Sequence, residues 1–435
     1  MRRSRKILLA VVVVVLAVLV GGYWYERPLL LTGTGYAAHN ACALDAIAHR
    51  DDPADDLPPN PLVPVLRTKT GDHDASASVL GLFSKQKAWA TPGFGCTLAD
   101  ERPSLGEATP VTAAGNPYDA APAPTPAVAV SAALDKAFAR GLGTRGVVVL
   151  HDGRLVAERY AKGFDQDTPQ LGWSMTKSVT NLLVGRLVAQ GKLSLDDDHL
   201  RPEWTDGRAA ITVRQLLQMT SGLSWDETYA LGTPITRMLY LEPDMGTYVA
   251  SRKLVHEPGT YLQYSSGNTD LLCAVLAKKF GGADLPRREL FAPLGLASAV
   301  LEPDAVGTPV CSSYLWATPR DWAAIGQLAL QDGVWNGKRL LSEGWMAAST
   351  KAVDVRTEEA GYASGWWVND APKGLVEPSL PKDAYFAEGH DGQWIVVVPS
   401  EKLVVVRLGF TPDEDQDDGA VRLAADLVRS LGAAG

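Results

Sequence analysis

A serine and a lysine stand three residues apart at the start of a predicted helix, in the stretch GWSMTKSVTNLLVGRLVAQGKL (172–193). Residues three or four positions apart share one face of an α-helix, so Ser174 and Lys177 point the same way. A serine hydroxyl becomes a nucleophile when a base removes its proton, and a lysine amine can do so when burial lowers its pKa. The N–H groups of a helix N-terminus can also stabilise an oxyanion. The alternative is an ordinary polar first turn, with Ser174 or Thr176 near the cap.

The spacing Ser-x-x-Lys occurs three times, so its context must decide which copy is chemical. Ser84–Lys87 lies in a stretch predicted to be irregular, and Ser379–Lys382 contains Pro381, which breaks helical geometry. Only Ser174–Lys177 opens a long helix whose apolar positions bury one side. Ser174 is therefore the predicted nucleophile and Lys177 its predicted base.

Two further stretches carry groups suited to the same reaction. Tyr264 precedes a helix in GTYLQYSSGNTDLL, two residues before Ser266, and its phenol can relay a proton to a leaving group. In AEGHDGQWIVVV, His390 and Gly392 stand at the entrance to a strand. The glycine lets the backbone approach a substrate, and the N–H of Gln393 can donate to an oxyanion. A half-buried aromatic residue and a plain glycine turn are the alternatives.

The elements around these motifs predict an α+β fold. A helix leads into a hairpin of two strands, Gly146 to Leu150 and Leu155 to Tyr160, and a second Val-rich hairpin surrounds Pro399. The sequence between the hairpins is mainly helical, and an amphipathic helix over 419–431 ends the chain. We therefore expect an antiparallel sheet built from both chain ends, flanked by helices and holding a helical insertion.

Composition and charge narrow the classes of protein. The 435 residues are 46% hydrophobic and 21% charged, as in globular proteins. The net charge of −9 argues against a nucleic-acid binder, because phosphate binding needs a basic face. No Cys-x-x-Cys or histidine cluster has metal-ligand spacing, so no metal site is predicted.

The N-terminus has the pattern of a membrane anchor. Basic residues precede an apolar run from Ile7 to Val20, which is followed by the aromatic residues Tyr23, Trp24 and Tyr25. With this aromatic end the run approaches the ~20 residues that a spanning helix needs. The positive charges indicate that the N-terminus stays in the cytoplasm. We expect an inner-membrane, single-pass protein with its catalytic domain in the periplasm. A cleavable signal peptide, which would make the protein secreted, is the alternative.

Three segments follow from these patterns. Residues 1–25 are the membrane anchor or signal segment, 26–127 a Pro-rich lead and linker, and 128–435 the hydrolase domain. The lead is expected to be irregular, because it contains stretches such as PADDLPPNPLVP and AAPAPTPAVAV.

If the protein is exported, its four cysteines lie in a compartment where disulfides can form. Cys42 and Cys96 both lie in the lead, which has little core of its own, and they are predicted to form a disulfide. Cys273 lies on an apolar helical stretch, and it is interpreted as a small buried hydrophobic residue. Cys311 has the same interpretation, and the sequence leaves open whether these two cysteines are paired.

The three motifs stand in the order and spacing found in the penicillin-recognising serine hydrolases. The resemblance rests on Ser174-Met175-Thr176-Lys177, Tyr264-Ser265-Ser266 and His390-Asp391-Gly392, and it covers roughly residues 130–430. The chain resembles the class C β-lactamase branch, and within it is similar to the 6-aminohexanoate-dimer hydrolases and to esterases with a β-lactamase fold. This resemblance implies a β-lactamase/transpeptidase-like fold and an acyl-enzyme mechanism that needs no metal or organic cofactor.

Two positions depart from the β-lactamase pattern. Ser266 stands where that branch has an asparagine that contacts the substrate amide. His390 replaces the lysine that pairs with the β-lactam carboxylate, and a histidine is mostly neutral at pH 7. We therefore expect esters or neutral amides to be preferred to penicillins. Trp366 and Trp367 either line the pocket or pack in the core, and the core is favoured for one of them.

The sequence thus predicts an exported serine hydrolase that acts on a small-molecule or peptide substrate. Ser174 attacks the carbonyl, Lys177 is the base, and Tyr264 passes the proton to the leaving group. The alternative is a peptidoglycan- or peptide-binding protein of the same fold that has lost turnover. The intact serine, lysine and tyrosine argue against it, because a binder has no need of all three.

Overall fold

The structure, a computed structural model, describes residues 2–50, 56–112, 114–357, 359, 361–413 and 416–432. The first residues of the predicted Pro-rich stretch PADDLPPNPLVP lie outside this range, and so do the last residues of the predicted hydrolase domain. The helices are α1 (Arg2–Ala46), α2 (Val128–Ala137), α3 (Met175–Ala189), α4 (Val213–Leu217), α5 (Pro234–Leu241), α6 (Met245–Ala250), α7 (Ser266–Phe280), α8 (Ala292–Leu294), α9 (Pro319–Leu330), α10 (Trp345–Ser349) and α11 (Ala420–Gly432).

The strands are short outside two hairpins and one N-terminal sheet. They are β1 (Leu66–Thr70), β2 (Asp74–Val79), β3 (Phe83–Thr91), β4 (Gly95–Leu98), β5 (Thr144–His151), β6 (Arg154–Tyr160), β7 (Gln170–Leu171), β8 (Tyr261–Leu262), β9 (Val300–Leu301), β10 (Leu315–Ala317), β11 (Val334–Trp335), β12 (Lys338–Arg339), β13 (Arg356–Thr357), β14 (Trp367–Val368), β15 (Asp370–Ala371), β16 (Gly374–Leu375), β17 (Tyr385–Gly389), β18 (Gln393–Val398) and β19 (Leu403–Gly409).

A six-stranded antiparallel sheet lies between two layers of helices, with the strand order β14-β17-β18-β19-β5-β6. Strand β5, from the start of the domain, pairs with β19 from its end, so the predicted sheet built from both chain ends is confirmed. Successive side chains of a strand point to opposite faces. On β5, Val148 therefore shares a core with α3 and α9. Its neighbours Val147 and Val149 share a second core with α2 and α11.

The predicted helical insertion between the two hairpins is also confirmed. Its helices have the end signals expected from the sequence. Helix α4 begins with a capping box, in which Thr212 and Gln215 each bond the other's backbone N–H. Helix α9 begins at Pro319, and the side chain of Thr318 caps it.

The segment 26–127 is more ordered than its composition predicts. Helix α1 continues through Pro28 to Ala46, and residues 66–98 form the antiparallel sheet β1-β2-β3-β4. Residues 32–44 of α1 are buried against this sheet and α5. The prediction of an irregular lead is therefore wrong for this part. Small alanine side chains allow the helix to pack closely, a tertiary contact that a count of prolines does not reveal. The described residues between β4 and α2 contain no helix or strand.

Two disulfides join distant parts of the chain. Cys42 at the end of α1 is bonded to Cys96 on β4, which confirms that prediction. Cys273 on α7 is bonded to Cys311, which settles a pairing that the sequence left open. Both are buried, but the fold brings their Cα atoms to 6.1 Å across a sequence separation of 38 residues. The sequence pattern around each cysteine contains no sign of this approach.

Candidate active site

The three predicted motifs meet where the first turn of α3 packs against the end of β17. A Cβ atom at Gly389 would lie 2.1 Å from the carbonyl oxygen of Gly172, so this glycine allows the two backbones to touch. A cavity of about 380 Å³ opens at this contact. The described residues that line it are Ser174, Glu227, Tyr229, Tyr264, Trp367, Glu388, Gly389, His390, Asp391, Gly392, Trp394, Thr411, Asp413, Gln416 and Asp418.

Ser174 is the N-cap residue of α3, but its side chain makes no capping hydrogen bond. Its Oγ instead accepts a hydrogen bond of 2.8 Å from Lys177 Nζ. The preceding residue, Trp173, has a φ of 46°, a left-handed conformation that costs energy for a side chain of this size. The Thr176 hydroxyl donates back to the Trp173 carbonyl at 2.7 Å. The alternative of an ordinary capping serine therefore does not describe this turn.

Lys177 is buried and held by three acceptors. Besides Ser174, it donates to Ser266 Oγ at 2.9 Å and to the Ser312 carbonyl at 3.1 Å. Burial lowers the pKa of the Lys177 ammonium to about 8, and the negative charges of Glu227 and Asp270 oppose this shift. A minority of the amine is therefore neutral near physiological pH. The neutral form is the one that a general base requires.

Tyr264 lies next to Lys177. Its ring stacks on Trp367 at 5.2 Å and meets Tyr362 edge-on at 5.3 Å, and Lys177 Nζ lies 4.9 Å from its centroid. Burial raises the pKa of the Tyr264 phenol well above its usual value, and a hydrogen bond with Ser174 opposes this. The phenol therefore stays protonated, so it can relay a proton but is a poor initial base.

Glu227 is a polar residue of the site that the sequence analysis missed. It accepts hydrogen bonds from the Ser266 hydroxyl, from the Ser266 N–H at 2.8 Å and from the Trp225 indole at 2.5 Å. Because Ser266 bonds both Lys177 and Glu227, it connects the amine to a carboxylate. The stretch SGLSWDE contains this glutamate, but only the fold brings it close to the Lys177 amine, through Ser266.

Ser266 does not lie where a substrate-binding residue was predicted. Its side chain is fully buried at the first position of α7, and it is not part of the cavity wall. The position at which the resemblance implies a substrate-binding side chain therefore holds a hydroxyl that faces Lys177. This places Ser266 with the groups that position the base.

His390, a predicted substrate-binding residue, lines the cavity. Its ring stacks on Tyr229 at 4.4 Å and meets Trp173 edge-on at 5.7 Å, and its Nε2 lies 3.5 Å from Asp391 Oδ1. The imidazole is thus fixed next to the residue that precedes Ser174. It occupies the position of the lysine in the β-lactamase pattern.

Gly392 and Gln393 make packing and hydrogen-bond contacts within the fold that the sequence does not show. Gly392 has a φ of 81°, and a Cβ atom there would lie 2.2 Å from Arg407 Nη1. The glycine therefore allows its backbone to lie close to the Arg407 guanidinium, in addition to lining the cavity. The Gln393 side chain bonds both backbone groups of Gly409, at 2.6 and 3.0 Å. It thus lies behind the cavity wall. The role of the Gln393 N–H as an oxyanion donor stays a prediction.

The two tryptophans of YASGWW separate as expected. Trp366 is fully buried, and its indole donates to Asn181 Oδ1 at 3.2 Å. Trp367 points into the cavity and stacks on Tyr264. One tryptophan therefore belongs to the core, and the other forms part of the wall.

The cavity wall is acidic. Among the described lining residues none is a lysine or an arginine, and five are carboxylates: Glu227, Glu388, Asp391, Asp413 and Asp418. Burial raises the pKa of Asp391, and the charge of His390 opposes this shift. Burial also raises the pKa of Glu388 to about 7, so Glu388 and Asp391 carry less negative charge near neutral pH than ordinary carboxylates do. An anionic substrate would still meet no lysine or arginine among the described lining residues.

Comparison with known proteins identifies the family. The Beta-lactamase family matches residues 132–429. The chain belongs to this family. This protein is 26% identical to the 6-aminohexanoate-dimer hydrolase of Paenarthrobacter ureafaciens over 304 residues. The match covers 62% of this chain and 74% of that hydrolase. The predicted family resemblance is therefore confirmed, and the protein is a serine hydrolase related to the β-lactamases.

Solved structures agree on the fold. A Bacillus anthracis protein assigned as a 6-aminohexanoate-dimer hydrolase has a TM-score of 0.59 and 20% identity, covering 73% of this chain and 90% of that one. A family VIII carboxylesterase has a TM-score of 0.55 and 17% identity, covering 71% of this chain and 98% of the esterase. The predicted β-lactamase/transpeptidase-like fold is confirmed.

Proposed function

We propose that this β-lactamase-family protein is an exported, membrane-anchored hydrolase that cleaves an ester or an amide through an acyl-enzyme on Ser174. The observation that carries the proposal is the 2.8 Å hydrogen bond between Lys177 Nζ and Ser174 Oγ at the cavity. A buried amine with a lowered pKa, aimed at a hydroxyl that caps nothing, is the arrangement that serine activation requires.

In the first half-reaction, neutral Lys177 takes the proton of Ser174 while Oγ attacks the carbonyl carbon. The backbone N–H groups of Ser174 and Gln393 stabilise the oxyanion that forms. When the tetrahedral intermediate collapses, the bond to the leaving group breaks, and that group takes a proton from Tyr264. The phenol regains a proton from the Lys177 ammonium. Water then attacks the acyl carbon and gives a proton to Tyr264, while the phenol passes its own proton to Lys177. The bond between Ser174 Oγ and the acyl carbon breaks, and Lys177 returns the proton to Oγ.

Neutral esters and amides fit this cavity better than penicillins. The described wall holds carboxylates and no lysine or arginine, so a β-lactam carboxylate finds no fixed positive partner there. The relatives support the same classes, since one is named a 6-aminohexanoate-dimer hydrolase and another a carboxylesterase.

The membrane location rests on α1. Within the described residues it is the helix long and apolar enough to cross a membrane, and its apolar N-terminal part is exposed. The two disulfides fit an oxidising compartment, which supports a catalytic domain in the periplasm. Because residues 32–44 belong to the folded core, any signal cleavage that spares the domain must fall before Thr32.

The decisive experiment is covalent labelling. Ser174→Ala should abolish both labelling by a fluorophosphonate probe and hydrolysis of p-nitrophenyl butyrate. Lys177 also bonds Ser266, but among the described residues Ser174 is the serine that both accepts this hydrogen bond and lines the cavity. Ser379→Ala is the matched control, since it removes the exposed serine of another Ser-x-x-Lys pair. Full labelling of the Ser174→Ala protein would show that the nucleophile is a different residue.

A further inference from the structure

The turn between β2 and β3 presents an apolar patch to solvent. Leu80 is 57% exposed, Leu82 is 81% exposed and Phe83 is 47% exposed. Single exposed apolar residues are ordinary on protein surfaces. Three of them within four positions at the tip of a hairpin form a contiguous patch, which marks an interaction surface. We name Leu80, Leu82 and Phe83 the hairpin tip.

The hairpin tip is continuous with the aromatic end of the apolar helix. The ring of Tyr23 lies 5.7 Å from the ring of Phe83, and the Tyr23 hydroxyl lies 3.3 Å from Ser84 Oγ. The neighbouring residues Trp24 and Tyr25 are exposed. The hairpin tip therefore lies at the level along α1 where the apolar run gives way to aromatic residues.

The fold fixes the tip at that level. The Thr34 hydroxyl of α1 donates to the Ser84 carbonyl at 2.7 Å, and residues 32–44 of the helix are buried against the N-terminal sheet. The Cys42–Cys96 disulfide ties the end of the helix to β4 of the same sheet. The helix and the hairpin therefore move as one body, and the depth of one in a membrane determines the depth of the other.

Helix length places this level at a membrane surface. The segment from Ile7 to Tyr25 spans about 28 Å at 1.5 Å per residue. This matches the hydrocarbon thickness of about 30 Å. The basic residues Arg5 and Lys6 mark one interface, and tyrosine and tryptophan favour the other. Lys85, exposed just beyond the tip, suits contact with lipid phosphates.

We propose that the hairpin tip inserts into the outer interface of the bilayer that α1 spans, as a second membrane contact of the protein. This inference rests on the proposed membrane anchoring. Its occupant is lipid, because the patch adjoins the exposed apolar helix and shares its level. Two contacts at separate points on one rigid body prevent the domain from swivelling about the helix. The cavity is thereby held in a fixed orientation to the membrane.

The test measures lipid contact with single fluorescent probes on the full chain. Because all four native cysteines are in disulfides, each introduced cysteine is the one free thiol. Leu82→Cys reports the tip, Val14→Cys the apolar helix and Val128→Cys an exposed site at the start of α2. Each variant is labelled with an environment-sensitive dye and reconstituted into phosphatidylcholine vesicles with or without nitroxide-bearing phosphatidylcholine. Hydrolysis of a soluble ester verifies folding.

The nitroxide lipid should quench the Leu82 and Val14 probes and leave the Val128 probe bright. Quenching at Val14 without quenching at Leu82 would overturn the second contact while leaving the anchor intact. Quenching at Leu82 without quenching at Val14 would support the hairpin contact and overturn the spanning helix. If neither probe is quenched, both the anchor and the hairpin contact are wrong.

Discussion

At the scale of single residues, the proposed mechanism depends most on Lys177, the proposed general base. Its amine is buried, bonded to Ser174 and short of full protonation near neutral pH. Lys177→Ala should lower kcat/KM for p-nitrophenyl butyrate by about 10²–10⁴-fold, the range typical of a lost general base. Lys382→Ala, which removes the exposed lysine of another Ser-x-x-Lys pair, should leave the rate unchanged. A near-normal rate for Lys177→Ala, with an intact circular dichroism spectrum, would assign the base to another group.

The pH dependence of the reaction depends on the same amine. Only neutral Lys177 can accept a proton, so kcat/KM should rise with pH and level off above about 8, the pKa that burial produces. The charge of Glu227 raises this pKa. Glu227→Gln should therefore move the rise to lower pH. A pH–rate profile that moves to higher pH, or stays in place, would mean that Glu227 does not act on the base.

At the scale of elements, the Cys273–Cys311 disulfide holds the loop before β10 against α7. The next residue, Ser312, accepts a hydrogen bond from Lys177 and donates to Asp270 of α7. Replacing both cysteines by serine should lower the free energy of unfolding by roughly 2–4 kcal/mol and should also lower kcat. Urea unfolding and ester hydrolysis measure the two effects.

The other disulfide supplies the control. Replacing Cys42 and Cys96 by serine removes the disulfide between α1 and β4. The backbone N–H of Cys96 donates a hydrogen bond to Glu302, and neither cysteine is hydrogen-bonded to Lys177 or Asp270. Stability should fall, with a smaller change in kcat on a soluble ester. Equal losses of kcat in both double variants would show that the Cys273–Cys311 disulfide has no special effect on the site.

At the scale of the whole molecule, we expect charge to select the substrate. The protein carries a net charge of −9, and the described cavity wall offers carboxylates without a lysine or arginine. A charge-assisted hydrogen bond is worth about 1.5–3 kcal/mol, or roughly one to two decades in rate. Nitrocefin and benzylpenicillin should therefore have a lower kcat/KM than p-nitrophenyl butyrate.

His390→Lys restores the cation of the β-lactamase pattern, and it should raise nitrocefin turnover relative to ester turnover. Steady-state kinetics on both substrates give the ratio. If the wild-type protein hydrolyses nitrocefin as well as it hydrolyses the ester, the acidic wall does not decide specificity.

The sequence by itself determined the family, the sheet built from both chain ends and the pairing of Ser174 with Lys177, whose roles as nucleophile and base stay predictions. These features depend on local patterns: valine-rich hairpins, helix caps and a three-residue spacing on one helical face. It also predicted the Cys42–Cys96 disulfide, since only two cysteines lie in the lead.

Only the tertiary structure decided the surroundings of these groups. Glu227 reaches Ser266 across 39 positions, and Cys273 reaches Cys311 across 38. The buried part of α1 packs on strands that follow it by 20 residues or more, although its composition predicted an irregular lead. Such contacts join segments with no common local pattern. They form because the folded chain buries apolar surface, and their positions are fixed by packing between elements.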